Sequence, residues 1–229
     1  MLSDANTQPD AVLFDLDGTL IDSAPDIHAA VVELLAAHGL PPITLDQAKS
    51  MIGNGVAKLV ERAFAASGMS LSGEALAAVQ KEMIPIYNRH LTQLTRLYPG
   101  ALEALQTLHN EGAKIALVTN KPQAATDEVM RHFGLGQFFG AVIGADSVVN
   151  KKPAPDALYL ALEKLKADRI QAVMIGDSAT DVEAARNAGL PVIIIRGGYS
   201  KVPAEELGAD LVLDSLAELP DALRGARSA

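Results

Sequence analysis

Along the chain, short unbroken apolar runs alternate with longer stretches whose apolar residues recur every three or four positions. The clearest runs are Ala11-Val12-Leu13-Phe14, Ile115-Ala116-Leu117-Val118, Ala172-Val173-Met174-Ile175 and Pro191 to Ile195. A run like the first is too short for a helix and suits a strand buried on both faces, as in a parallel sheet. Weaker runs at 141–144 and 211–213 predict two further strands. Between the runs, Leu102, Leu105 and Leu108, then Pro122 to Phe133, Pro155 to Leu165 and Asp181 to Ala188 carry helical spacing. Strands alternating with helices predict an α/β fold with a parallel sheet joined by right-handed crossovers.

One region breaks that alternation. From Asp22 to about residue 92 the pattern is helical throughout, with no strand signal. Ile27, Ala30, Val31, Leu34 and Leu35 form one helical face, with Asp22 or Ser23 as its cap and Pro25 in its first turn. Thr44 to Met51 and Val56 to Ala66 predict further helices, separated by Ile52-Gly53-Asn54-Gly55. Leu76, Val79, Met83, Ile86 and Tyr87 predict a longer one, which Pro85 should kink or break. The expected organisation is a sheet core from 1–21 and 93–229, with 22–92 inserted as a helical cap over the sheet's edge. Residues 1–10 are polar and predict no element.

Composition narrows the function classes. A chain of 229 residues that is 49% hydrophobic supports one large domain, or one domain with an insertion. A net charge of −9 and 4% aromatic residues argue against nucleic acid and anionic membranes as partners. Cysteine is absent, so disulfides and thiolate metal sites are excluded. No secretory pattern and no apolar run of membrane-spanning length is seen, which makes cytoplasmic the expected location. An anionic substrate would need local positive charge or a metal.

The candidate chemistry sits where strands end. Asp15-Leu16-Asp17-Gly18-Thr19-Leu20 follows the first run directly. Two carboxylates held together in a partly dry place need a cation, a shared proton, or both. A hard divalent ion is the natural partner, and Mg²⁺ favours few carboxylates plus substrate phosphate. Thr119-Asn120 follows the second run, just before Lys121-Pro122 opens a helix, where free amides favour phosphate. Gly176-Asp177 follows the third, with Asp181 four residues on. Lys151-Lys152-Pro153 precedes another helix, and a lysine pinned by a following proline suits aiming an ammonium into a cleft. Taken singly, each has an ordinary alternative: a polar turn, a helix cap or a solvated loop. In an open parallel sheet, however, ligands bind outside the carboxyl ends of the strands.

Together, Asp15-Leu16-Asp17-Gly18-Thr19, Thr119-Asn120, Lys152-Pro153-Ala154-Pro155 and Gly176-Asp177-Ser178 through Asp181 resemble the four ordered motifs of the haloacid dehalogenase superfamily. The resemblance spans almost the whole chain. It implies a three-layer Rossmann-like sheet with a helical cap, and a Mg²⁺-dependent phosphomonoester hydrolase working through an aspartyl-phosphate. Asp15 would be the nucleophile and Asp17 the general acid and base. Asp15, the Asp17 carbonyl and Asp177 would hold Mg²⁺. Thr119 and Lys152 would stabilise the transferring phosphoryl group, with Gly18 and Asn120 beside it. Asp181 would orient Lys152 or metal-bound water. Retention of the acid at Asp17 sets the chain apart from the dehalogenases and phosphonatases of the superfamily.

The cap segment Ile52-Gly53-Asn54-Gly55-Val56, with Gly39-Leu40-Pro41 before it and Tyr98-Pro99-Gly100 after it, resembles the bacterial phosphoglycolate phosphatases. This implies 2-phosphoglycolate as substrate, its carboxylate met by Gly53, Asn54, Gly55 and Lys58. Sugar phosphates, N-acetylmuramate 6-phosphate and a sugar phosphomutase reaction are the alternatives. The expected partner is a small anionic phosphomonoester, and the expected state a monomer or homodimer.

Overall fold

The computed structural model describes residues 9–225. The N-terminal stretch expected to carry no element lies outside them through residue 8. The first strand, β1, is Ala11–Phe14, followed by the two-residue β2, Ile21–Asp22. Helices α1 (Ala24–Ala37), α2 (Leu45–Lys49), α3 (Val56–Ala66) and α4 (Gly73–Arg89) come next, then the short β3, Arg96–Leu97. The chain continues as α5 (Ala101–Asn110), β4 (Lys114–Val118), α6 (Gln123–His132), β5 (Ala141–Ile143) and α7 (Asp156–Leu165). It closes with β6 (Ala172–Gly176), α8 (Ala179–Ala188), β7 (Val192–Ile195), β8 (Leu211–Leu213) and α9 (Leu219–Gly225). Among the described residues no helix is long and apolar enough to cross a membrane.

Six strands form one parallel sheet in the order β5-β4-β1-β6-β7-β8. The chain builds outward from β1 on one side and returns to build outward on the other. That places the reversal of strand order, and hence a crevice, at the carboxyl ends of β4, β1 and β6. The two-residue alternation of side chains explains why these strands read as unbroken apolar runs. Val12, Phe14, Ile115, Leu117, Val173 and Ile175 face α5, α6 and α9. Ala11, Leu13, Ala116, Val118 and Met174 face α7 and α8. Burying a side chain such as Leu13 or Phe14 contributes roughly 1.5–3 kcal/mol.

One expectation fails locally, and the break allowed for at Pro85 does not occur. The region after β1 is not purely helical at its ends, because β2 and β3 pair antiparallel, Ile21 with Leu97 and Asp22 with Arg96. Two residues are too few to show a period. Nor does Pro85 break α4, which runs on to Arg89. Pro85 is exposed, so the carbonyl it leaves without an amide can be met by water. Met83 and Tyr87, buried either side, anchor the helix against its neighbours.

Candidate active site

β1 ends at Phe14, and Asp15 enters the crevice with its amide still in the ladder, donating to Ile175 O at 2.9 Å. The chain then turns tightly. Gly18 adopts φ +91°, and a Cβ there would stand 2.4 Å from Asp177 Oδ2, so only glycine permits this approach. Gly198 closes on the same carboxylate from the other side, its would-be Cβ 2.3 Å away. Asp177, at the end of β6, accepts from Tyr199 N at 2.6 Å and Thr19 Oγ1 at 3.3 Å.

Lys152 lies 2.8 Å from Asp15 Oδ1 and 2.7 Å from Asp181 Oδ1, all three buried. The other Asp181 oxygen accepts from Ser178 Oγ at 2.8 Å and from the amides of Ser178 and Asp177. Both Asp181 oxygens are therefore occupied. Each Asp177 oxygen accepts one hydrogen bond, and Asp15 meets Lys152 through Oδ1. Burial pushes the Asp15 carboxyl up to about 7, even though Lys152 pulls it down. Burial, then the charges of Asp181 and Asp15, raise Asp177 well above the usual carboxylate range. Among the described residues, Asp15, Asp177 and Asp181 bring carboxylate oxygens within 4.8 Å of one another. Hard oxygen donors with excess negative charge and little solvent fit a divalent cation such as Mg²⁺.

Asp17 stands on the other side of the turn. Its Oδ1 accepts from Ser23 Oγ at 2.6 Å and from Lys121 Nζ at 2.9 Å. Ser23 thus occupies the cap position of α1 without capping it, and its hydroxyl serves Asp17 instead. Lys121 also donates to the hydroxyl of Tyr87 on α4. Burial lowers the Lys121 ammonium, but Asp17 and Tyr87 more than offset it and the net shift is upward. Neither Lys121 nor Tyr87 stood out from the sequence as a site residue.

Thr119 is buried at the end of β4 and accepts from Lys121 N through Oγ1. The Asn120 amide, expected to be free for an anion, donates to Gly53 O and Lys152 O, both at 2.9 Å. Its Oδ1 is buried without a partner. The Gly53-Asn54-Gly55 loop is tied down further, Lys151 Nζ donating to Asn54 O at 2.7 Å and Asn54 Nδ2 to Thr180 Oγ1 at 3.1 Å. Lys58 is exposed, paired with Glu61 and does not line the cavity. The loop and its helices roof a cavity of about 40 Å³, with Asp15, Asp17, Thr119 and Lys121 below and Ile27, Ile52, Gly53, Gly55, Val56, Leu59 and Tyr87 above. Tyr199 ties the roof's root to the floor. While its amide holds Asp177, its hydroxyl accepts from the amides of Ser23 and Ala24 and donates to Asp22.

Comparison with known proteins gives a consistent picture. The family model described as haloacid dehalogenase-like hydrolase matches residues 12–195. The phosphoglycolate phosphatase of Caulobacter vibrioides is 40% identical over 211 residues, covering 92% of this chain and 89% of its own. That of Cereibacter sphaeroides strain ATCC 17025 is 41% identical over 213 residues, covering 93% and 97%. A crystal structure from Haemophilus somnus 129PT, described as a predicted phosphoglycolate phosphatase, superposes with a TM-score of 0.88 at 29% identity, covering 94% and 98%.

Proposed function

The chain belongs to the haloacid dehalogenase-like hydrolases, and within that family we propose that it is a phosphatase of 2-phosphoglycolate, releasing glycolate and phosphate. The relatives at about 40% identity named phosphoglycolate phosphatase carry this reading. The cavity over the paired aspartates, whose upper walls are mostly aliphatic, is where the two-carbon body would lie.

Asp15 would attack phosphorus, forming the O–P bond of an aspartyl-phosphate as the bond to the glycolate oxygen breaks. Asp17 would give its proton to that leaving oxygen. It would then take one from the water that cleaves the aspartyl-phosphate, returning Asp15 as a carboxylate. Ser23 and Lys121 hold Asp17 in place for both transfers. Lys152 would neutralise charge on the transferring oxygens while Asp181 fixes its direction, and Thr119 would add a hydroxyl donor. Asp15, Asp177 and the Asp17 carbonyl would hold Mg²⁺, which would screen the carboxylates from the phosphate. Residues 22–92 would act as a cap over the core formed by 1–21 and 93–229, with the Asn120 amide and Lys151 holding its Gly53-Asn54 loop closed.

A panel of small phosphomonoesters, assayed for kcat/KM with and without Mg²⁺, tests the reading. 2-Phosphoglycolate should rank first and activity should vanish in EDTA. A sugar phosphate turned over better than 2-phosphoglycolate would overturn the substrate, and full activity after chelation would overturn the metal.

A further inference from the structure

Two lysines are buried at this site, and they face different problems. Lys152 is held between Asp15 and Asp181 and does not line the cavity. Lys121 does line it, as the sole ammonium in the wall among the described residues. One of its partners, Asp17, comes from the floor and the other, Tyr87, from the roof. Its ammonium also lies 4.9 Å from the centre of the Tyr87 ring. An ammonium has three donors; Lys121 directs them at Asp17 Oδ1 at 2.9 Å, Asp17 Oδ2 at 3.3 Å and the Tyr87 hydroxyl, and the longest of these is the one a substrate oxygen would replace.

The substrate proposed above carries a second negative group, the carboxylate of its two-carbon body. Inside an aliphatic wall such a group needs a cation or several donors. Lys58 does not supply one, since it is exposed and bound to Glu61. Arg62 donates to Met51 O and lies outside the cavity. In the Gly53-Asn54-Gly55 loop, the Asn54 side-chain amide already donates to Thr180, and the Gly53 and Asn54 carbonyls are acceptors that an anion would repel. We propose that Lys121, seated by Tyr87, recognises the body carboxylate and so determines specificity for a carboxylated two-carbon phosphomonoester. Ser23 and the Lys121 bond to Asp17 Oδ1 keep Asp17 placed while the ammonium also meets the substrate. This inference rests on the phosphoglycolate reading.

The test compares kcat/KM for 2-phosphoglycolate with that for ethyl phosphate, whose body has the same carbon count and no charge. Any effect that Lys121 exerts through Asp17 is common to both substrates and cancels in the ratio. In Lys121→Met the ratio should fall about ten- to a hundredfold, the loss of one charge-assisted contact, mainly through KM. Lys121→Arg should restore part of it. Tyr87→Phe, which removes only the hydroxyl, should lower the ratio roughly threefold to tenfold. If Lys121→Met does not fold, Lys121→Gln, which keeps donors for Asp17 and Tyr87, reads the same ratio. A ratio within about threefold of wild type in either folded Lys121 variant overturns the proposal and leaves the substrate reading standing. A wild-type enzyme with no preference for 2-phosphoglycolate over ethyl phosphate overturns both.

Discussion

The floor and the roof of the cavity are built on opposite principles. In the floor, charges are buried and nearly every oxygen has a defined partner. Lys152 spans Asp15 and Asp181, and glycine backbones press on Asp177 from two sides. Strand ends locked in a six-stranded sheet can hold such a cluster because they cannot drift. The roof presents mostly aliphatic carbon, and its loop uses its polar groups to attach itself to the floor. The difference teaches a division of labour. Changes in the floor should alter the rate on every phosphomonoester, whereas changes in the roof should alter the ranking among them.

The hardest test of that division is Asp15→Asn. It should bring turnover of every phosphomonoester to background while far-UV circular dichroism and melting temperature persist. Burial already pushes the Asp15 acid up to about 7, so a neutral amide suits the position, and Lys152 keeps Asp181. Hydrolysis by the pure folded variant would remove Asp15 from the floor's chemistry. Asp17→Asn should lower kcat by on the order of 10²–10⁴ for an alkyl leaving group. The loss should be smaller for p-nitrophenyl phosphate, provided that formation of the phosphoenzyme limits both. Equal losses under that condition would speak against Asp17 as the acid.

Roof variants should do less. Gly55 has φ +82°, and a Cβ there would lie 2.7 Å from Lys151 Nζ. Gly55→Val should strain the loop by roughly 1–2 kcal/mol. It should lower kcat/KM on 2-phosphoglycolate about tenfold, with less than about threefold loss on p-nitrophenyl phosphate. If both substrates fall together, the loop closes the site without ranking its occupants, and the comparison blurs. The smallest effect belongs to Lys58→Ala. An exposed lysine paired with Glu61 should leave kcat/KM within about twofold, and a tenfold loss would put Lys58 in the pocket after all.

The floor was largely legible in the sequence because its signals are local. A strand buried on both faces writes itself as an apolar run, and polar residues at its end mark the crevice. Asp15, Thr119 and Asp177 were found in that way, and the structure brings all three to the same edge of the sheet. The roof was less legible because its contacts span long separations. The pairing of β2 with β3 joins residues 21 and 97, and no window of sequence shows it. Tyr87 belongs to the apolar face of α4 and reads as core. Its hydroxyl matters only because Lys121 lies opposite. Lys121 did carry a signal. Lys121-Pro122 repeats the lysine-before-proline pattern that singled out Lys152-Pro153, and the two buried lysines of the site are these two.

The pairing of β2 with β3 has a consequence for chain entropy. Antiparallel partners stand about 5 Å apart between Cα atoms, so the helical segment leaves and rejoins the core at nearly one point. Asp26 reinforces the join from inside, accepting from the amides of Leu94 and Thr95 and from the Thr95 hydroxyl. Because the ends already meet, the entropy of closing the core depends little on the length threaded between them. Even doubling the length of a flexible insert would raise its closure cost by only about 0.6 kcal/mol. The stretch between the two paired strands would therefore be exchangeable in principle as a cassette. A different set of helices, spliced at the same two residues, could bring new substrates to an unaltered set of aspartates.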